Sequence, residues 1–201
     1  MVKDKIVELK PKERIIKYLI ENKKPESIMS VSGAVVIDYK NTYDIINTLQ
    51  PSIISKEKVG NTNLIELNLR PNQEIFNVEQ KRTDEFLSKN QKIKLIDEKI
   101  KEIGYPFMIV LIFGSYAKGN NTLNSDIDLC IISDNKVKIK KLIEMLNLLS
   151  IKIEIQEFTT EEFASMIEKR QDNLGNEIVK NNIILFGIEN YYNLISKWMK
   201  K

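Results

Sequence analysis

Residues 106–133 read PFMIVLIFGSYAKGNNTLNSDIDLCIIS, and this stretch decides the fold. Phe107 to Phe113 is one continuous apolar run, the pattern of a strand buried on both faces. It ends at Gly114-Ser115, and a polar loop, Lys118-Gly119-Asn120-Asn121-Thr122, comes next. A second strand then runs from Ser125 to Ile132 and carries Asp126 and Asp128. Side chains two apart on a strand share a face, so the two carboxylates project together with Cα atoms about 6.5–7 Å apart. Cys130 shares their parity and reads as a small buried residue rather than a reactive thiol.

Two carboxylates that close disfavour joint ionisation, and a divalent cation is the natural compensation. A pair of magnesium ions ~3.5–4 Å apart serves phosphoryl and nucleotidyl transfer. Asp126 and Asp128 are therefore the first candidates for catalytic metal ligands. Gly114 lets a phosphate approach the backbone. Ser115 offers a hydroxyl and an N–H at the start of a short helix, a place that favours anions. Lys118 supplies a point charge for a triphosphate.

Composition narrows the chemistry. The chain has 201 residues, 42% hydrophobic and 29% charged, an ordinary globular balance with material for one domain or two small ones. It has no histidine, which excludes Ser-His-Asp and Cys-His triads, histidine general bases and histidine-ligated zinc. One cysteine allows no intrachain disulfide and no cysteine metal cluster. A metal must then be held by oxygen. The net charge of +3 does not by itself predict nucleic-acid binding. No apolar run approaches a membrane span and the start is charged throughout, so the expectation is a cytoplasmic protein without membrane association.

Downstream, 137–149 predicts a helix with Ile139, Leu142, Ile143, Leu146 and Leu149 on one stripe. Ile151 to Phe158 alternates as a strand, with Ile151, Ile153 and Ile155 on one side and Lys152, Glu154 and Gln156 on the other. Thr159 and Glu162 are spaced as a capping box. A helix over 174–181, a short strand over 182–187 and a final helix with Tyr191, Leu194, Ile195 and Trp198 complete this half.

Upstream, a helix opens at Pro11 and runs to Asn22, with Ile15, Ile16, Leu19 and Ile20 on one face. A second helix starts near Pro25-Glu26-Ser27, and a third spans about 40–50, ended by Pro51. Two β-like runs, 52–58 and 63–69, flank Gly60-Asn61, a hairpin signal. A long helix over 76–104, rich in Lys, Glu, Asp and Gln, then links the halves. The expected domains are 1–75, this linking helix at 76–104, and 105–201.

These patterns carry two resemblances. Gly114-Ser115, ten residues, then Asp126-Ile127-Asp128 resembles the DNA polymerase β-type nucleotidyltransferase superfamily, and within it the minimal nucleotidyltransferases. That resemblance covers about residues 95–190. It implies an α+β fold with a mixed sheet and flanking helices. It also implies two Mg2+ ions, ATP or another nucleoside triphosphate as substrate, and a third carboxylate from a neighbouring strand. Glu154 is the candidate for that third acid, as catalytic residue and metal ligand, although the family more often has aspartate there; Glu157 is its rival. The acceptor implied is a tyrosine hydroxyl on a HEPN-type RNase toxin, with small antibiotics as a second class.

The order of three helices and a hairpin resembles a winged helix-turn-helix over about 10–70. In that family the third helix enters the major groove and the hairpin touches the backbone. Carried over, Lys40, Asn41, Thr42 and Asn47 face double-stranded DNA from the helix, and Lys56, Lys58 and Asn61 from the wing, in a homodimer on a two-fold operator. A second reading stays open: a DNA-binding transcriptional regulator whose nucleotidyltransferase fold is a nucleotide sensor or partner-binding module.

Overall fold

The computed structural model describes residues 9–169 and 171–198; the side chain of Trp198, expected on the final apolar stripe, lies outside that description. The chain divides into two compact units, Met1–Lys81 and Arg82–Lys201.

The first unit opens with α1 (Pro11–Asn22), whose Pro11 takes a first-turn position where no N–H is needed. A two-residue strand β1 (Glu26–Ser27), which the sequence pattern does not reveal, precedes α2 (Ile28–Val35). The Ser27 hydroxyl accepts from the Ser30 N–H at 3.0 Å and caps α2. Asp38 does the same for α3 (Tyr39–Leu49), accepting from the Asn41 N–H at 2.9 Å. Strands β2 (Ile54–Val59) and β3 (Thr62–Leu67) pair antiparallel around Gly60-Asn61, where Gly60 takes φ +59°. The sheet order is β1-β3-β2. Ile15, Ile16, Leu19 and Ile20 of α1 are buried as their spacing predicts, with Val31, Ile46, Ile54 and Ile65. Full burial of such side chains stabilises by about 1.5–3 kcal/mol each relative to exposure.

The single helix expected over 76–104 is two: α4 (Gln73–Lys89) and α5 (Gln91–Ile103). Asn90 makes the break. Its side-chain amide donates to the Phe86 carbonyl at 2.8 Å and its backbone N–H to the Leu87 carbonyl at 3.2 Å, so helical pairing stops there. Asparagine competes in this way for backbone partners. The division between the two units falls inside α4, at Lys81/Arg82.

The second unit adds β4 (Ile109–Ile112), α6 (Gly114–Lys118), β5 (Ile127–Ile132), α7 (Lys136–Asn147) and β6 (Ile153–Phe158). Then come α8 (Thr160–Glu168), α9 (Leu174–Lys180), β7 (Ile183–Phe186) and α10 (Ile188–Trp198). The sheet order is β6-β5-β4-β7, with β5 and β6 parallel and the other pairs antiparallel. Both apolar runs of the deciding stretch lie at the centre of this mixed sheet. One face of it buries Val110, Ile112, Leu129 and Ile131 against Ile93, Ile96 and Ile100 of α5 and Leu142 and Leu146 of α7. On the other side, α10 packs on β4 and α8 on β6. The molecule is thus a mixed α+β structure with ten helices and two sheets among the described residues. None of its described helices is long and apolar enough to cross a membrane.

Candidate active site

The carboxylates gather where β5 begins. Asp128 is half-buried on β5, and Asp126 is exposed in the residue pair that leads into it. On the parallel neighbour β6, Glu154 lies directly in register with Asp128. Residues paired across adjacent strands share a face, so Glu154 extends the acidic pair sideways. Its rival Glu157 pairs instead with Ile131, three residues further along the strands.

The turn that leaves β4 fits around Asp128. Phe113 donates its N–H to the Asp128 carbonyl at 3.0 Å. Gly114 then takes φ +63° and starts α6. A Cβ there would overlap Asp128 Oδ2 and stand 2.7 Å from its Cγ, so no side chain fits. The next N–H, that of Ser115, donates to the Asp128 carboxylate. Gly114 and Ser115 therefore frame the carboxylate as well as opening the helix.

Burial pushes the Asp128 carboxyl above its ordinary value, and the charge of Glu154 adds to the push. The Ser115 N–H opposes it, while Asp126 and Glu177 add smaller pushes. A crowded, partly desolvated carboxylate group of this kind attracts a cation, because a cation restores joint ionisation.

Two lysines meet this acidic set. Lys152 Nζ stands 3.3 Å from Asp126 Oδ1. Lys118 Nζ lies 2.7 Å from Glu177 Oε1 on α9. Glu177 is the site residue that sequence reasoning missed. Fifty-nine residues separate it from Lys118, and nothing in the linear order marks it. It is placed by α9, which the Asn173 side chain caps and ties to the Met166 carbonyl at 2.8 Å. Gly175 allows that close approach, since a Cβ there would stand 2.7 Å from Met166 Cβ.

The donors suit a hard cation. They are all oxygens, and the space beside Asp128 is kept clear by a glycine. Among the described residues no three His, Cys, Asp or Glu side chains close into a cage around an ion. Magnesium does not require one, since it commonly uses one or two carboxylates together with substrate phosphates. Cys130 is fully buried and burial pushes its thiol far up, as expected of an inert packing residue.

In the N-terminal unit, Lys40, Asn41 and Asn47 of α3 are exposed, as are Lys58 and Asn61. Lys56 is half-buried, its ammonium 4.7 Å from the centroid of the Tyr43 ring. Thr42 corrects the expectation: it is wholly buried, and its hydroxyl donates to the Ile37 carbonyl at 3.4 Å. It cannot face a ligand from the same helix.

The chain is similar to a solved structure described as a crystal structure of the toxin-antitoxin with AMP-PNP. The identity is 18%, the match covers 50% of this chain and 81% of that one, and the TM-score is 0.34, a loose superposition. No curated protein matches. A family model for "Polymerase beta, Nucleotidyltransferase" matches residues 91–191, which include the glycine–serine turn, Asp126, Asp128, Glu154 and Glu177. With half the chain so matched, this protein belongs to the polymerase beta nucleotidyltransferase family.

Proposed function

We propose that the protein transfers a nucleoside monophosphate, AMP from ATP, to a hydroxyl on a partner protein. The observation that carries this reading is the registration of Asp128 with Glu154 beside the Gly114-Ser115 turn. Asp126, Asp128 and Glu154 would hold Mg2+, which would supply positive charge against the phosphates and the reacting phosphoryl group. Ser115 and Lys118 receive the β- and γ-phosphates, Lys118 exchanging its pairing with Glu177 for the nucleotide. Glu154 takes the proton from the acceptor hydroxyl. The acceptor oxygen bonds to the α-phosphorus, the bond from that phosphorus to the β-phosphate bridging oxygen breaks, and pyrophosphate leaves. A tyrosine on a toxin of the HEPN type is the acceptor class that suits a nucleotidyltransferase domain this small.

The test is incubation with α-labelled ATP and Mg2+, alone and with a candidate partner, followed by intact mass. An adduct of about 329 Da, the mass of a transferred AMP group, that is lost in Asp126→Asn supports the reading. Transfer that survives in Asp126→Asn overturns the site.

A second reading is supported by the N-terminal unit, whose order α1-β1-α2-α3-β2-β3 and sheet order β1-β3-β2 suit a winged helix. In it the protein binds operator DNA as a homodimer, and nucleotide binding serves as a signal. Both functions can coexist in one chain. Loss of Lys40 or Lys58 is expected to weaken DNA binding and reduce its salt dependence, with transfer unchanged.

A further inference from the structure

Strand β6 closes one side of its sheet. The Ile127 N–H donates to the Lys152 carbonyl and the Ser133 N–H to the Phe158 carbonyl, both at 3.0 Å, so the even-numbered residues of β6 turn their backbone groups toward β5. Backbone direction alternates along a strand, and the N–H and C=O of Ile153, Ile155 and Glu157 therefore point away from the sheet. Among the described residues no group pairs with them. β6 holds no proline, and its register with β5 runs unbroken to Phe158, so neither device blocks the edge. Two cavities flank the far end of this edge and meet at Glu157, Phe158, Thr159 and Glu162. One, of about 690 Å³, runs along α8, with Glu161, Ser165, Met166 and Lys169 on its wall. The other, of about 620 Å³, runs along α7, with Ile139, Lys140 and Ile143 on its wall. Helix α7 packs on the face that carries Leu129 and Ile131, whereas Phe163 of α8 meets Phe158 on the opposite face, so the cavities lie on either side of the edge.

We propose that this edge docks an extended segment of a partner protein, added as a fifth strand, whose side chains alternate between basic and apolar. Main-chain hydrogen bonds to Ile153, Ile155 and Glu157 hold such a segment, and its alternate side chains enter the two cavities in turn. The α8 cavity sets Glu157, Glu161 and Glu162 against a single cation, Lys169, and so takes the basic set. The α7 cavity has Ile139 and Ile143 on its wall, and its Lys136 and Lys140 are balanced by Glu144, Glu157 and Glu162, so it takes the apolar set. A second copy of the chain is the poorer occupant. β6 carries Glu154 and Glu157 and no cation, and two such edges would set like charges along one seam. Glu154 lies three residues back along the same strand, about 10 Å from Glu157 by strand rise. A docked partner therefore stands beside the candidate active site, while its binding requires no nucleotide.

The test titrates the full chain, without nucleotide, with the peptide Lys-Val-Lys-Val-Lys-Val-Lys and follows amide hydrogen exchange. Binding is expected to slow exchange most at Ile155 and Glu157. A peptide of the same composition with its lysines and valines in blocks binds at least about tenfold more weakly, having lost the alternation that fits both cavities. Glu157→Pro removes one outward N–H, the place on an edge strand where proline is tolerated, and weakens the alternating peptide about tenfold, the worth of a backbone hydrogen bond. Glu157→Gln keeps that N–H and loses about threefold, the worth of one exposed charge pair. Glu161→Lys, on the surface of α8, shifts the preference toward a peptide alternating glutamate and valine, and it keeps the test decisive if the proline disturbs β6. No binding, equal binding of the alternating and block peptides, an unchanged preference in Glu161→Lys, or protection away from β6 would overturn the proposal. A dimer in sedimentation whose Ile155 and Glu157 amides are protected without peptide would overturn it too, since a second copy then holds the edge.

Discussion

Gly114 has no side chain where the Asp128 carboxyl stands: a Cβ on it would overlap Oδ2, and the φ of +63° would strain any other residue. Loop and strand are thus joined at one point, the smallest residue of the turn against the acid of the strand. The clash is with the Asp128 carboxyl, to which the Ser115 N–H of the same turn donates, so displacing the carboxylate also breaks that bond.

Gly114→Ala is accordingly expected to displace Asp128 rather than merely strain the turn. A left-handed conformation costs an alanine about 1–2 kcal/mol, and misplacing a reacting group by an ångström costs about a hundredfold in rate. Transfer should fall by at least that factor, with a drop in Tm of a few degrees. Single-turnover transfer and a thermal melt on the same sample check both. An alanine variant with wild-type transfer would show that the contact between turn and carboxylate is dispensable.

The carboxylates Asp126, Asp128 and Glu154 should differ in effect. Asp128→Asn and Asp126→Asn remove charge from the centre of the set, and each is expected to lower the transfer rate by about 10²–10³ or more, the size of losing one preorganised electrostatic partner. Glu154→Gln removes the proton acceptor and one negative ligand of the metal, so both the rate and the affinity for Mg2+-ATP are expected to fall. Rate and affinity measured separately distinguish the roles, and a Glu154→Gln rate equal to wild type would remove Glu154 from catalysis.

Helix α8 makes a pH-dependent contribution. The Thr159 N–H and hydroxyl both donate to Glu162 Oε2, at 2.8 and 2.9 Å, and the Glu162 N–H donates to the Thr159 hydroxyl at 3.1 Å. These bonds hold the Glu162 carboxyl below its ordinary value of 4.5, the Thr159 N–H first and its hydroxyl second. A depressed acid adds stability above its unfolded pKa and loses it as pH falls through the folded one. The Tm gap between wild type and Glu162→Gln is therefore full at neutral pH, begins to narrow as pH falls past the ordinary value of 4.5 and closes as pH falls through the lower folded value. Thr159→Ala should cost about 1 kcal/mol through loss of the cap. A gap that persists unchanged into acid would refute the capping role.

Two buried donors on α4 stabilise β7 and the segment that leads into it. Arg82 donates from both terminal nitrogens to the Asn182 carbonyl, at 2.9 and 2.8 Å, and Thr83 donates to the Ile184 carbonyl at 2.8 Å. Arg82→Met removes charge-assisted bonds from a buried acceptor and is expected to cost about 2–3 kcal/mol, against about 1 for Thr83→Val. Each kcal/mol lowers Tm by about 2–4 °C in a domain of this size. Urea melts of the two variants test the ranking.

Much of this was legible in the linear order because the signals are local. The strands within the Phe107–Phe113 run and the Ser125–Ile132 stretch and the capping box at Thr159 each depend on periodicities of a few residues, although the strands are shorter than the runs, Ile109–Ile112 and Ile127–Ile132, with Phe107 71% exposed and Asp126 just outside. The parity of Ile151 to Phe158 put Glu154 on the polar side of its strand, and the structure pairs it with Asp128. Local reading failed where side chains competed for backbone or space. Asn90 split one expected helix into two, and Thr42 turned inward on a helix whose neighbours face water.

The sequence alone determined the two central strands, the glycine–serine turn, the closely spaced aspartates and the absence of histidine. Those are properties of residue type and short spacing. Tertiary structure alone decided which carboxylates meet. It set Glu154 beside Asp128 through the register of two parallel strands and brought Glu177 to Lys118 across 59 residues. Register, helix placement and cavities arise from packing between elements distant along the chain, and no local periodicity encodes those distances.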